Sequence, residues 1–243
     1  VTTVDVAAAR AGGMCNLRDI GQMSASIRPG VVYRGDAPQD NDPPPRLTPW
    51  PPRTVVDLRS VDERQPVHPL TDAKIHHVQL LAAANPLLVA RHVEEEGPQT
   101  LANLYVSMAL HRAEQLVRIA EIVANEPKPV LIHCSAGKDR TGVAVALLLS
   151  AVGVPRAEIV DDFLLTNDNI DQITARIALY LGADPNETAF EANRPAHAVG
   201  ADAIGAVLDV FEGHPGGTPK WLTDNGFSDL DALRSALLRQ PSA

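Results

Sequence analysis

One segment constrains this chain more than any other. Val130-Leu131-Ile132 is an apolar strand signal that leads straight into His133-Cys134-Ser135-Ala136-Gly137-Lys138-Asp139-Arg140-Thr141-Gly142. Thr141 to Val152 then continues as an almost wholly apolar helix. A helix that is apolar all round must be buried. Strand, glycine-bearing loop and helix therefore form one unit inside an α/β core.

The loop suits an anion. A turn between a strand and a helix N-terminus offers backbone N–H groups at the positive end of the helix dipole. Gly137 removes a side chain where the backbone must curl round a phosphoryl group, and Ser135, Ala136, Gly137, Lys138 and Asp139 supply the loop amides. Arg140 can reach back with a planar fork that matches two oxygens. Cys134, six positions earlier, sits at the base of the same cup. The positive surroundings favour its thiolate, the form that attacks phosphorus to give a phosphocysteine. Arg140 and the amides would hold the equatorial oxygens through the transition state. The Thr141 hydroxyl is placed to donate to the cysteine sulfur in the second step, and His133 to orient the loop through backbone groups. A lone cysteine after a strand is usually a small buried hydrophobe. Here the leading His, the Gly, the Arg, the trailing Thr-Gly and the flanking strand and helix favour catalysis. The mechanism calls for no metal and no cofactor.

Elsewhere, Val31 to Arg34 and Thr54 to Leu58 read as strands, and Ile75 to Leu81 as a third. Asp40 to Pro52 is proline-rich and reads as a surface or extended connection. Thr100 to Ala124 reads as one amphipathic helix carrying Leu101, Leu104, Tyr105, Met108, Leu116, Ile119 and Val123 at helical spacing, stopped by Pro127 and Pro129. Arg156 to Leu165, Ile170 to Leu181 and Ala201 to Phe211 are helical. Gly213 to Gly217 is a break, and Ser228 opens a last helix with Asp231 three residues on. The expected architecture is a central, mostly parallel sheet flanked by helices, one domain over 1–243 with a helical part over 156–243.

Composition narrows the function. The net charge of −9 argues against a nucleic-acid or acidic-membrane binder. Cys15 and Cys134 are the only cysteines, too few for a disulfide framework, and a reducing compartment fits better. The first residues lack the charged start and apolar core of a secretory signal. The longest apolar run, Val143 to Val154, is too short to span a bilayer. The expected location is cytoplasmic, or exported without a readable signal. The other histidines, such as His76-His77, show no metal-ligand spacing.

The loop resembles the signature of the cysteine-dependent protein tyrosine phosphatase superfamily. Its Ala-Gly-Lys-Asp-Arg version is similar to a bacterial subgroup that includes mycobacterial protein tyrosine phosphatase B. Asn16-Leu17-Arg18-Asp19, Arg28-Pro29-Gly30 with Tyr33-Arg34, and Val56-Asp57-Leu58-Arg59-Ser60 resemble that subgroup's N-terminal blocks. Asp162-Phe163 with Asn167-Asp168, and Trp221-Leu222 with Gly226, resemble its later ones. The resemblance implies hydrolysis of phosphotyrosine, with phosphoserine, phosphothreonine and phosphoinositides as further substrates. Lys138 is shared with lipid-active members of the superfamily. The partner implied is a phosphorylated protein or lipid.

The pattern departs from the superfamily in one respect. Common members carry an aspartic general acid a few tens of residues before the cysteine, yet no Asp lies between Ala73 and Lys138. Asp139 is the first candidate and Asp57 the second, with an ionised positioning role for Asp57 as the alternative. Glu94, Glu95 and Glu96 read as a solvated stretch. Arg18, Asp19 and Arg34 suit a structural network, whereas Arg59 and Arg64 can face substrate. The subgroup carries a helical lid. Residues 85–99, as a variable loop, and Ile170 to Leu181 are the material for a smaller one. Two other readings stay open: a rhodanese-like sulfur transferase, and a phosphate-binding module without turnover.

Overall fold

A computed structural model describes residues 12–81, 99–180, 182, 184 and 198–240. The chain enters through β1 (Arg18–Asp19), then β2 (Val32–Gly35), β3 (Thr54–Asp57) and β4 (Lys74–His77). Helices α1 (Gln99–His111) and α2 (Ala113–Asn125) lead to β5 (Val130–His133). Then follow α3 (Asp139–Ala151), α4 (Arg156–Leu164), α5 (Ile170–Tyr180), α6 (Ala201–Glu212), α7 (Gly217–Asp224) and α8 (Leu230–Leu237). The sheet order is β1-β2-β5-β3-β4, and only the β1–β2 pair is antiparallel. The expected mostly parallel sheet with a helical C-terminal part is what forms.

Register explains why chemistry gathers at one edge. Gly35, His133 and Asp57 are aligned across β2, β5 and β3. The carboxyl ends of three parallel strands thus open onto one crevice, where ligands bind in sheets of this kind.

The sheet is covered on both faces. Val32, Val56, Val130 and Ile132 point into the main helical core. Tyr33, Val55 and Leu131 point the other way, against Met14, Leu17, Leu47 and Trp50. The proline-rich connection is therefore more than a link, since it lays Trp50 over Tyr33 with ring centroids 6.2 Å apart. Pro49 also accepts a 2.7 Å hydrogen bond from the Tyr33 hydroxyl.

The α3 helix is buried on nearly every side, as its sequence requires. Val143, Val145, Leu147, Leu148 and Leu149 are each at most 2% exposed. Each contributes about 1.5–3 kcal/mol by leaving water. Gly142 lets this helix approach α4, because a Cβ there would lie 2.8 Å from the Phe163 ring.

The structure corrects three readings of local sequence. Thr100 to Ala124 is two helices, broken at Arg112, which has φ −129° and ψ 29°. Past Met108 the inward-facing stripe would have to bury Arg112 and Gln115. The break instead turns a fresh apolar face inward, with Leu116, Val117, Ile119 and Ala120 buried. The last helix is capped by Asp229, whose side chain accepts from the Ala232 N–H at 2.8 Å, and Ser228 lies one residue too early. The segment after Gly213 resumes as α7, entered through two glycines of positive φ, the capping Gly216 at 93° and the first helical residue Gly217 at 70°. The expected variable loop, including Glu94, Glu95 and Glu96, lies outside the described residues apart from its last position.

Candidate active site

The loop from His133 to Arg140 leaves the end of β5 and enters the first turn of α3. Its carbonyls from Cys134 to Lys138 all have partners, three of them from distant segments, one from His133 and one from the first turn of α3. His133 Nδ1 lies 3.3 Å from the Cys134 oxygen. The Ala37 N–H donates to Ser135 O at 3.2 Å. Asn16 Nδ2 donates to Ala136 O at 3.0 Å, and Arg34 Nη2 to Gly137 O at 3.0 Å. The Gly142 N–H donates to Lys138 O at 2.7 Å. A trans peptide is planar, so its C=O and N–H point in opposite directions. Five consecutive carbonyls held outward turn the following N–H groups inward, over Cys134. Gly137 makes the curl possible. Its φ is +67°, and a Cβ there would lie 2.3 Å from the Gly35 carbonyl carbon.

The donors are themselves anchored. Asp162, fully buried, takes Arg18 Nε at 2.8 Å and pairs with Arg34. Burial alone would raise this carboxyl, but Arg34 and Arg18 outweigh it and hold it below the usual range. The network of Arg18 and Arg34 is structural, as expected, and it grips the loop through Gly137. Asp19 works separately, accepting from the Gly21 and Gly30 N–H groups at 2.9 and 2.6 Å.

Cys134 is 1% exposed and carries a free thiol. Arg140 is also buried, with its fork on Glu63: Nη1 to Oε2 at 2.6 Å and Nη2 to Oε1 at 2.7 Å. Glu63 closes a short 3-10 turn (Val61–Glu63) after β3. It also accepts from the Ser60 N–H and hydroxyl, both at 2.9 Å, and from Ser135 Oγ at 2.8 Å. Burial opposes its ionisation, yet the bonds from Arg140 carry its carboxyl below the ordinary value. An end-on fork of this kind leaves the Nε edge of a guanidinium for a second anion.

The two acid candidates differ sharply. Asp57 is fully buried and accepts three bonds from Arg59, from its N–H, Nε and Nη2, at 3.1, 2.9 and 2.9 Å. Burial would raise the Asp57 carboxyl, but His133 and Arg59 together hold it well below the carboxylate range. It has no proton to give near neutral pH. Asp139 sits in the first turn of α3 with its side chain 20% exposed. Tyr105 of α1 donates to its Oδ1 at 2.7 Å. Burial, with Asp139 beside it, pushes the Tyr105 phenol well above its usual value, so it remains a donor. Lys138 is 8% exposed, with Nζ 3.7 Å from Asp139 Oδ1.

Other expected residues fall as follows. Thr141 is fully buried, and among the described residues its hydroxyl has no hydrogen-bond partner, so the bond to the Cys134 sulfur is not formed here. Arg59 is committed to Asp57, and Arg64 Nε donates to Ser60 O at 3.2 Å. Cys15 lies 3.8 Å from Asp36 Oδ2, and burial first, then Asp36, push its thiol up. Among the described residues, Asp57, His68 and His133 hold ligand atoms within 4.8 Å of one another. His68 and His133 are hydrogen-bonded to each other at 3.1 Å, and Arg59 donates to both Asp57 oxygens. No described helix is long and apolar enough to cross a membrane.

Glu63, Tyr105, Asn16 and His68 were not recognised in the sequence as parts of the site. Glu63 alone had a signal, because Ser60-Val61-Asp62-Glu63 is a capping-box pattern directly after a strand.

A cavity of about 230 Å³ opens beside Ser135 and Glu63. Ile173, Ile177 and Tyr180 of α5 line one side, and Ala37 and Pro38 line another. Arg176 fastens α5 in place, with Nε on Asp36 at 2.8 Å and Nη1 and Nη2 on Asp42 at 2.9 Å each.

The fold and the loop together define a chain built around an anion cup, with a cysteine at its base and an arginine on its wall. Comparison with known proteins agrees. The model of the tyrosine phosphatase family matches residues 9–239, and the chain belongs to that family. It is 43% identical over 88 residues to the triple specificity protein phosphatase PtpB of Mycobacterium tuberculosis, a match covering 36% of this chain and 29% of that one. It is 28% identical over 196 residues to a tyrosine-protein phosphatase of Nostoc commune, covering 72% of this chain and 62% of that one. A protein of Cupriavidus necator is 28% identical over 242 residues, covering 92% of this chain and 85% of that one.

Proposed function

We propose that this chain is a protein-tyrosine phosphatase that works through a phosphocysteine. The observation that carries the reading is the run of five carbonyls tied outward above Cys134, with Arg140 braced on Glu63. A cup of inward N–H groups and one guanidinium edge matches the three equatorial oxygens of a phosphoryl group in flight.

In the first step the Cys134 thiolate attacks phosphorus. The P–S bond forms as the P–O bond to the leaving group breaks, and Asp139 gives that oxygen its proton. In the second step water attacks phosphorus and loses its proton to Asp139, while the P–S bond breaks and the electrons return to sulfur. Asp139 takes the acid role because its side chain is partly exposed in the first turn of α3, whereas Asp57 is fully buried on Arg59, and the Tyr105 hydroxyl positions it. Asp57, locked by Arg59, is a positioning residue in this scheme. Thr141 has a hydroxyl to spare for the returning thiolate.

The cavity favours an aryl phosphate on a protein. Ile173, Ile177 and Tyr180 offer apolar surface to a ring next to Ser135, the residue that follows Cys134. The two arginines of the lining are both neutralised, Arg59 by Asp57 and Arg176 by Asp36 and Asp42, and Asp62 adds a further negative charge. A head group with several phosphates would meet carboxylates there. The relative named PtpB is called triple specificity. Activity here on phosphoserine, phosphothreonine and phosphoinositides is accordingly proposed as secondary.

The test is phosphate release from matched phosphotyrosine and phosphoserine peptides and from phosphoinositide vesicles. The expected order is phosphotyrosine first by kcat/KM. A phosphoinositide preferred over phosphotyrosine would overturn the substrate assignment. Binding of phosphate without release from any substrate would favour a module without turnover.

A further inference from the structure

His68 lies on the connection between the 3-10 turn and β4, and takes no part in the chemistry proposed above. Its Nε2 lies 3.1 Å from His133 Nε2. Two imidazole nitrogens at that distance share one proton, so one ring donates and the other accepts. The outer ends of the pair decide which. His68 Nδ1 accepts from the Leu70 N–H at 3.1 Å, so it carries no proton, and the His68 proton is on Nε2. His133 Nδ1 faces the Cys134 carbonyl at 3.3 Å, an acceptor, so its proton is on Nδ1 and its Nε2 is a lone pair. Both ends give the same answer independently. Burial, the leading cause, lowers His68 to about 4 and His133 to about 3, which keeps both rings neutral near pH 7.

A competitor faces the same nitrogen. Asp57 Oδ1 lies 4.0 Å from His133 Nε2 and would reward a proton there. Arg59 donates to both oxygens of that carboxylate, and His77 Nδ1 lies 3.7 Å from Oδ2. With a proton on Nε2, His133 would turn a bare Nδ1 lone pair toward the Cys134 oxygen. The two would repel, and the peptide joining Cys134 to Ser135 would rotate. Because that peptide is planar, the Ser135 N–H, the first donor of the cup, would swing with it.

We infer that His68 is a positioning residue of the phosphate cup: by donating to His133 Nε2 it fixes the tautomer that ties down the Cys134 carbonyl and aims the Ser135 N–H at the anion. The catalytic consequence rests on the phosphatase reading, but the tautomer does not. The relay is a proton-ordered chain, Leu70 to His68 to His133 to Cys134, that starts on a partly exposed connection and ends at the nucleophile's own peptide.

The test combines nitrogen-15 NMR of the histidine rings with phosphate release from an aryl phosphate, using the full chain. In the wild type, His133 is expected to carry its proton on Nδ1 and His68 on Nε2. A His133 proton on Nε2 in the wild type would overturn the proposal without any variant. His68→Leu should move the His133 proton to Nε2 and lower kcat/KM about tenfold, a fraction of what loss of a whole oxyanion donor costs. His68→Gln keeps an N–H at the same reach and should restore both. A His68→Leu protein with the wild-type rate, or one slowed with His133 still protonated on Nδ1, would end the positioning role. An inactive wild type would instead sink the phosphatase reading, and the spectrum would still decide the relay. Should His68→Leu fail to fold, the wild-type spectrum and His68→Gln carry the test.

Discussion

Replacing Glu63 by glutamine probes the arginine on which the cup depends. All five contacts to the Glu63 carboxylate come from donors: Arg140 twice, the Ser60 N–H and hydroxyl, and the Ser135 hydroxyl. A glutamine amide must set an NH2 group against some of them. At Oε2 it would face Arg140 Nη1 and the Ser60 N–H, neither of which can accept. At Oε1 it would face Arg140 Nη2 and the Ser135 hydroxyl, which can turn and accept. The cheaper choice still forfeits one charge-assisted bond to Arg140, about 1.5–3 kcal/mol. At about 1.36 kcal/mol per tenfold, kcat/KM should fall roughly 10- to 100-fold. Steady-state phosphate release from a phosphotyrosine peptide measures this, with a thermal melt to show that the chain is folded. A value within about twofold of wild type would mean that Arg140 holds its place without Glu63. A rise would mean that Glu63 competes with the anion, and the bracing argument would be refuted.

Asp139→Asn should cost phosphotyrosine turnover about 100-fold or more, within the usual range for a general acid, and an activated aryl phosphate much less. Equal losses on the two substrates would move the acid role away from Asp139. Asp162→Ala leaves Arg18 and Arg34 unpaired in the core and should cost about 3–5 kcal/mol in a urea melt. A loss under about 1 kcal/mol would show that the clamp is not what holds the loop. The same carboxylate sets a pH dependence. Its folded value lies below its unfolded one, so its contribution is fully present above about pH 5 and disappears as pH falls through the depressed value. Urea melts between pH 7 and 3 should show stability falling on the acid side for wild type, and less steeply for Asp162→Asn.

The parts of this protein that were legible in its sequence are those whose signal is local. The β5 strand, the loop and α3 follow one another without interruption, and the periodicity of α3 announces its burial. Cys134 and Arg140 could be placed in one loop between β5 and α3 because a strand–loop–helix turn dictates its own geometry. The break at Arg112 was hidden because helical spacing is nearly preserved across it; only the polar pair Arg112 and Gln115 at inward positions betrays it. The cup's supports were illegible for a different reason. Asn16, Arg34, Tyr105 and His68 are far from the loop in the chain, and nothing in a single sequence records that Asn16 reaches Ala136 or that Tyr105 reaches Asp139. Asp57 looked open to an acid role until its three bonds to Arg59 were visible.

On this mechanism Cys134 is phosphorylated during turnover. Rapid quench of the wild-type chain with phosphorus-32 phosphotyrosine peptide into denaturant at alkaline pH, followed by peptide mapping, detects it. Label is expected on the peptide containing Cys134, held as alkali-stable, acid-labile S-phosphocysteine, and lost in Cys134→Ser together with phosphate release. Phosphate release that persists in Cys134→Ser, with no label on Cys134 in the wild type, would overturn the mechanism.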